Sequence, residues 1–458
     1  MKRFGIFRIG LWLVVLLFIP VSVWSQNALK SPAVTLDAPA PKQPSVPKSL
    51  VLDDLVREAL EKNPEAQSVL HAVRALERRV PQAKALPDPV VSVGWAGNPA
   101  PFSTMSGDPS SYRGVTVSEQ FPYPGKLKLQ GAIASKDADA AQADYEVVRR
   151  RVTAEVKAAF YEYFYFDKAI QTTTRNKDLL EKLSKIAEAQ YRVGKATQQD
   201  VLRSQVEISL LLEKLTVLEQ QKATAQARIN VYLLRAPESP LPPAADVEPT
   251  TIRYSLNELY AFAANNDAAV LRDQRIIDRG RLSVALAQKQ YRPDIGVAYM
   301  YQQRTAQEDM NGAIFSVNIP IFYRSKQRQG VAEASEDLIS AEKLHDNRQN
   351  EVRFELKQQY LVAQAAERLV NLYSRGVVPQ SSLALESSMA SYQVGKVDFL
   401  SLIANFTTLL DYETDYYRQL ADYQTAIARM ESLTGTGIVG TPAPNLATDI
   451  SQTLQVTK

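Results

Sequence analysis

The chain has 458 residues, of which 45% are apolar and 22% charged, with 18 Gly and 25 Pro, so it can bury a sizeable core and is neither collagen-like nor wholly disordered. No Cys and only two His, His71 and His345, exclude a disulfide framework, thiolate chemistry and a lipid-modified N-terminal Cys, and leave almost nothing for His-based catalysis or zinc. The formal charge of +3 comes from Lys2, Arg3 and Arg8; the remainder carries 50 basic against 50 acidic residues (53 less 3, against 50), which argues against nucleic acid as a partner.

Residues 1–25 place those three cations before an apolar run from Ile9 to Val23 and end on the small residue Ser25, the order of an export signal peptide. Residues 26–49 carry Pro32, Pro39, Pro41, Pro44 and Pro47 and read as an extended N-terminal tether. The rest is two copies of one plan, 50–235 and 255–434, joined by a Pro-rich linker at 236–254 and followed by a tail, 435–458, expected to be disordered. Tyr191-Arg192-Val193-Gly194-Lys195 recurs as Tyr392-Gln393-Val394-Gly395-Lys396. Pro87-Asp88 recurs as Pro293-Asp294, and Gln120-Phe121-Pro122 as Asn318-Ile319-Pro320. Such matches in one order indicate an internal duplication.

Each copy predicts a helix, a β-hairpin and a long helical hairpin. Period-2 alternation marks strands at about 89–98 and 112–121, and again at about 293–303 and 312–321. Strands of ~10 residues suit a tilted membrane strand. No Pro lies between Pro124 and Pro237, so helices are expected at about 126–192 and 197–234, the first ~100 Å long at 1.5 Å per residue. The equivalents are expected at about 326–393 and 397–433, with Pro379 breaking or kinking the former. Heptad positions starting at Val201 and Ser204, and at Leu402 and Asn405, are mostly apolar, the pattern of antiparallel coiled-coil packing. Four strands cannot close a membrane barrel, so if they enter the bilayer several chains must share one.

These repeated motifs resemble the TolC-like outer membrane efflux family over roughly residues 50–434. The resemblance implies a mainly α fold with a membrane β part: a homotrimer whose shared twelve-stranded β-barrel sits in outer membrane lipid of a Gram-negative bacterium and continues as a periplasmic α-helical barrel. It implies a passive duct, not an enzyme, without cofactor, metal site or catalytic residue, docked on a periplasmic adaptor (membrane fusion protein) and an inner-membrane pump of the RND type. The runs Leu86-Pro87-Asp88-Pro89 and Glu119-Gln120-Phe121-Pro122-Tyr123-Pro124-Gly125-Lys126 look like the heavy-metal branch of that family. Many members are lipidated on an N-terminal Cys; without one, this chain is expected not to be.

The resemblance places adaptor-docking tips at Val193, Gly194, Lys195 and Thr197, and at Val394, Gly395 and Lys396. It also places a periplasmic gate carboxylate at Asp200. Ser401 and Ala404 stand where the second copy would carry its acids, and Asp398 is the candidate replacement. The aromatic run from Phe160 to Phe166 reads as helix packing rather than a ligand platform. Met105, Met300 and Met310 are too scattered for a metal site. A periplasmic coiled-coil adaptor or structural protein is the alternative class, discriminated by the duplicated strand hairpin.

Overall fold

Short polar residues set each repeat's first two helices. In the computed structural model, which describes residues 49–97, 99–106, 108–305 and 307–440, helix α1 (Leu52–Lys62) ends at Asn63. The Asn63 side chain accepts hydrogen bonds from the Glu65 and Ala66 amides and caps α2 (Pro64–Lys84), whose first residue is a proline with no amide hydrogen to satisfy. After the second hairpin-bearing repeat opens, Asp267 plays the same part between α5 (Leu256–Asn266) and α6 (Ala268–Lys289), accepting from the Val270 amide at 2.9 Å. The expected export signal, all but Ser49 of the tether, and the tail from 441 lie outside the described residues.

Strands β1 (Val90–Ala96) and β2 (Tyr112–Phe121) form one antiparallel hairpin, and β4 (Asp294–Arg304) and β5 (Met310–Asn318) another. They join through β2 and β4 into a single antiparallel sheet of order β1-β2-β4-β5, which leaves β1 and β5 as open edges.

Below the sheet run α3 (Lys126–Arg192) and α4 (Gln198–Tyr232), matched in the second repeat by α7 (Gln327–Leu372), α8 (Val378–Gln393) and α9 (Phe399–Thr434). Helix α3 is 67 residues long. Along its N-terminal half it is flanked by α2 and α6, through Glu65–Arg151, Asp144–Arg272 and Asp137–Arg279. Along its C-terminal half it is flanked by α4 and α9, through Ser184–Ser204, Asp167–Lys222, Lys157–Glu431 and Arg175–Glu413. With Gly131 lying against Lys84 as the second contact to α2, the residue numbers in each pairing run in opposite directions, so all four neighbours are antiparallel to α3. Helices α7 and α8 then pack on α9.

Just before Pro379 the α-helix is interrupted: a five-residue π-turn, Tyr373–Val377, with the Val378 amide donating to the Tyr373 carbonyl, separates α7 from α8. Pro379 has no amide hydrogen, so it cannot extend the backbone ladder at the point where the π-turn ends. Residues 435–440 of the tail have defined structure: Gly435 takes a left-handed conformation (φ 69°) to end α9, Ile438 is fully buried, and β6 (Val439–Gly440) pairs with β3 (Thr251–Ile252) inside the linker. Hydrogen bonds hold the linker at its N-terminal end. Its Pro237 and Ser239 carbonyls accept from the Asn230 side chain, and its Pro243 carbonyl accepts from the Leu50 amide.

Among the described residues no helix is long and apolar enough to cross a membrane. The large aromatic run on α3, Phe160 to Phe166, is buried among α1, α4 and α9 side chains, and acts as packing.

Candidate functional site

The two helical turns at the far end of the long hairpins are built alike. Helix α3 ends on Gly194 (φ 73°), whose amide donates to the Tyr191 carbonyl at 2.9 Å while the Lys195 amide donates to Gln190 at 2.8 Å. Helix α8 ends on Gly395 (φ 75°), with Gly395 to Tyr392 at 3.0 Å and Lys396 to Ser391 at 2.9 Å. Both are Schellman caps, in which the left-handed residue lets two amides turn back onto otherwise unpaired carbonyls. Val193 and Val394 are each 68% exposed, large apolar side chains held in solvent at equivalent places. Nothing lies within 4 Å of where a Cβ would stand on either glycine. The structure thus brings Val193, Gly194, Lys195 and Thr197 together in one exposed turn and Val394, Gly395 and Lys396 in the other.

The candidate gate carboxylates have a local task. Thr197 and Asp200 form a reciprocal capping box on α4: the Asp200 amide donates to the Thr197 hydroxyl at 3.3 Å, and the Thr197 amide to the Asp200 carboxylate at 3.0 Å. In the second copy the same two positions, 201 residues on, are Asp398 and Ser401, so carboxylate and hydroxyl have exchanged places. Asp398 caps α9 and accepts from the Ser401 amide at 2.6 Å. That amide, with the Ser401 hydroxyl, holds the Asp398 carboxyl below its usual value. By that shift Asp398 stands at the position of Thr197. Tyr392, buried beside Phe399 at 5.4 Å between ring centres, has its phenol pushed up by burial and then by the charge of Asp200, which brings the two tips into one electrostatic neighbourhood.

At the other end the sheet has two chemically distinct faces. The pairing aligns Val91, Val93 and Trp95 with Val117, Val115 and Arg113, and then with Tyr299, Tyr301 and Gln303. Val297 and Ile295 align with Phe315 and Val317 on that same face. The opposite face carries Ser92, Gly94, Ala96, Gly114, Thr116, Ser118, Gly296, Ala298, Gly312 and Ser316. The first face is mainly apolar and aromatic and exposed along β1, β2, β4 and β5, while the second is mostly small or polar, with Val90, Tyr112, Met300 and Ile314 among its exceptions: the division a barrel wall needs between lipid and an aqueous lumen.

Where sheet meets helices, Lys126 is 3% exposed, and its ammonium donates to Asp294 at 2.8 Å and to the Arg292 carbonyl at 3.0 Å. The same Asp294 oxygen accepts from the Tyr123 amide at 2.7 Å. This lock between the two repeats was not among the expected residues. The signal was present in the sequence, in the Pro-Gly-Lys turn and in the repeated Pro-Asp pair, but nothing in one copy alone says that Lys126 pairs with the other copy's aspartate.

The methionines do not converge: the sulfur of Met310 accepts from Arg304 and that of Met300 from Gln302. Among the described residues no group of His, Asp and Glu could hold a metal ion.

Residues 55–234, the first repeat, match the model of a family described as outer membrane efflux protein. The fold is similar to that of three solved channels: CusC (TM-score 0.72, 15% identity, covering 84% of this chain and 92% of that one), the outer-membrane channel OprN (0.71, 16%, 84% and 90%), and the CmeC outer membrane channel of Campylobacter jejuni (0.69, 12%, 93% and 97%). No curated protein matches by sequence. The family match is confined to the first repeat, and the described chain as a whole has the fold of these outer-membrane channels.

Proposed function

We propose that three copies of this chain close a twelve-stranded barrel in the outer membrane, continued by a helical tube into the periplasm, and serve as the passive exit duct of a tripartite efflux system. The observation that carries this reading is the sheet: four strands with an exposed apolar face, a small polar face and two unpaired edges. In lipid such a sheet must be completed by other strands, because unpaired backbone groups have no partner there. The long helices support it. Helix α4, at one side of the helical layer, exposes Leu202, Val206 and Leu210 on one face, and α7–α8 at the other side expose Phe354, Leu361, Leu372 and Leu383.

The two Schellman turns are the docking points for the periplasmic adaptor, which links the duct to an inner-membrane pump of the RND type. Their exposed valines supply apolar contact, and their glycines let another backbone approach closely. Asp200 and Asp398, at the mouth next to these turns, are the candidate gate carboxylates, a role additional to their capping hydrogen bonds. The motif likeness at Leu86–Pro89 and Glu119–Lys126 supports small cations such as heavy-metal ions as cargo, with selection made by the pump and not by this wall. The test is membrane fractionation with native mass of detergent-extracted protein. Recovery in the outer membrane at the mass of three chains is expected. A single-chain mass, or recovery in the soluble periplasm, refutes the duct and favours a periplasmic structural role.

A further inference from the structure

The sheet contains an internal copy of the seam that its edges lack. Val90 and Ser118 face one another in the first hairpin; their counterparts 206 and 198 residues further on, Gly296 and Ser316, face one another in the second. Those two shifts are the ones that relate Pro87-Asp88 to Pro293-Asp294 and Gln120-Phe121-Pro122 to Asn318-Ile319-Pro320. The hairpins therefore correspond residue for residue, and the seam between β2 and β4 is a template for one between β5 of one copy and β1 of the next.

The template seam is locked at its lower end by Lys126 on Asp294, and covered there by Tyr123, over whose ring lie the Lys289 ammonium at 5.7 Å and the Arg292 guanidinium at 6.0 Å. The same shifts turn Asp294 into Asp88, Lys126 into Arg324, Tyr123 into Ile321 and Arg292 into Leu86. Asp88 and Arg324 are exposed, and neither side chain has a hydrogen bond or ion pair among the described residues; Arg324 only lies over the Tyr323 ring. Ile319, Ile321, Phe322 and Leu86 are exposed apolar side chains at this same corner, with Phe322 71% exposed. The charges that the template pairs, and the side chains that it covers, are unpaired and uncovered at the two edges.

We propose that neighbouring copies join in the template's register. Val90 of one copy then stands opposite Asn318 of the next, Val91 opposite Val317 and Ser92 opposite Ser316, with Asp88 pairing with the Arg324 corner. This rests on the shared-barrel reading and specifies how the barrel closes. The register keeps Val91 and Val317 on the apolar face and Ser92 and Ser316 on the small polar face, whereas a slip of one residue would put valines of one strand into the lumen. A slip of two keeps the faces but carries Asp88 away from Arg324.

The natural chain has no Cys, so introduced pairs report without background. Full-length protein carrying Ser92→Cys with Ser316→Cys, oxidised in outer membranes, is expected to give covalent dimers and trimers on non-reducing gels at least tenfold more abundantly than Ser92→Cys with Ile314→Cys or with Asn318→Cys. Native mass of the reduced protein is measured alongside. A trimer that crosslinks better through a shifted pair overturns the register and leaves the assembly standing, whereas a monomer overturns both. For the ion pair, Asp88→Arg is expected to lower the fraction of trimer surviving mild heating, and adding Arg324→Asp to restore it. Failure of the second substitution to restore the trimer overturns the pairing of Asp88 with Arg324.

Discussion

Replacing both tip glycines, Gly194 and Gly395, separates docking from turn formation. Each holds a left-handed backbone, at φ 73° and 75°, where an L side chain costs about 1–2 kcal/mol. No atom lies within 4 Å of either new Cβ, so no collision adds to that figure, and the pair together costs about 2–4 kcal/mol per chain. This cost falls on two solvent-exposed turns. The helices on either side are held elsewhere, by buried side chains such as Leu180, Leu183, Leu402 and Phe406, so distortion at the tips does not propagate along them. Alanine and tryptophan impose the same backbone cost, but only tryptophan places an indole where an adaptor's backbone would come. The double Gly→Ala protein is therefore expected to form trimers and to export. The double Gly→Trp protein is expected to form trimers of the same native mass, to lose site-specific crosslinking to the adaptor, and to fail to restore export in a deletion strain. Full export by the Trp protein refutes docking at these turns. Loss of the trimer by both proteins shows instead that the glycines serve only the turn.

Asp200→Asn retains a side-chain oxygen for the cap but removes the charge, whereas Asp200→Ala removes both and should cost about 1 kcal/mol of local helix stability. If the charge holds the entrance shut, both variants raise single-channel conductance in planar bilayers, and an unchanged Asn variant leaves Asp200 as a cap alone. At the junction of sheet and helices, Asp294→Ala leaves the buried Lys126 ammonium with only the Arg292 carbonyl and is expected to lower stability by about 3 kcal/mol or more. Lys126→Met removes the buried charge itself and should cost less. Thermal melts of the detergent-extracted protein check the order, and the reverse order refutes the burial argument.

The duplication, the hairpins and the long helices were legible because each writes a period into the sequence: 2 in the strands, 3.5 in the returning helices, about 200 in the repeat. Position 126 as the start of α3 and position 192 as its end could be read from Pro124, Gly125 and Gly194. What the sequence did not expose depends on contacts between distant segments. Pro379 marks an interruption in any helix, but the form it takes here, a π-turn just upstream, is not written in the local sequence. The exchange of carboxylate and hydroxyl between Thr197–Asp200 and Asp398–Ser401 was readable from the shift of 201, but a family position assigned to one acid at a time hides it. The order of Gly435 to Gly440 depends on Ile438 finding a pocket beside Leu259 and Met430, and nothing in a Gly- and Pro-rich tail announces that.

The heptad count also treats the two returning helices as equals, although they are not. Helix α9 packs on α3, α7 and α8, and it carries Phe406 and Leu410 where α4, 201 residues earlier, has Gln205 and Ser209. Helix α4 has one buried seam, through Ser204, Leu211, Leu218 and Ala225, and leaves the face bearing Leu202, Val206 and Leu210 open. An apolar face at the outer side of a helical layer is stable in water only if something covers it, and in a closed ring of copies the outer face of one chain's α7–α8 lies next to it. Because Val206 and Leu210 are about half exposed in the single chain, replacing both by Glu leaves the new carboxylates access to water there and disturbs the chain's own buried seam little. In a tube, each new carboxylate would be buried without a partner, a penalty of several kcal/mol per ion. The expected result for Val206→Glu with Leu210→Glu is a folded chain with unchanged helical circular dichroism and the native mass of one copy, and a trimer that persists at wild-type thermal stability refutes the helical seam.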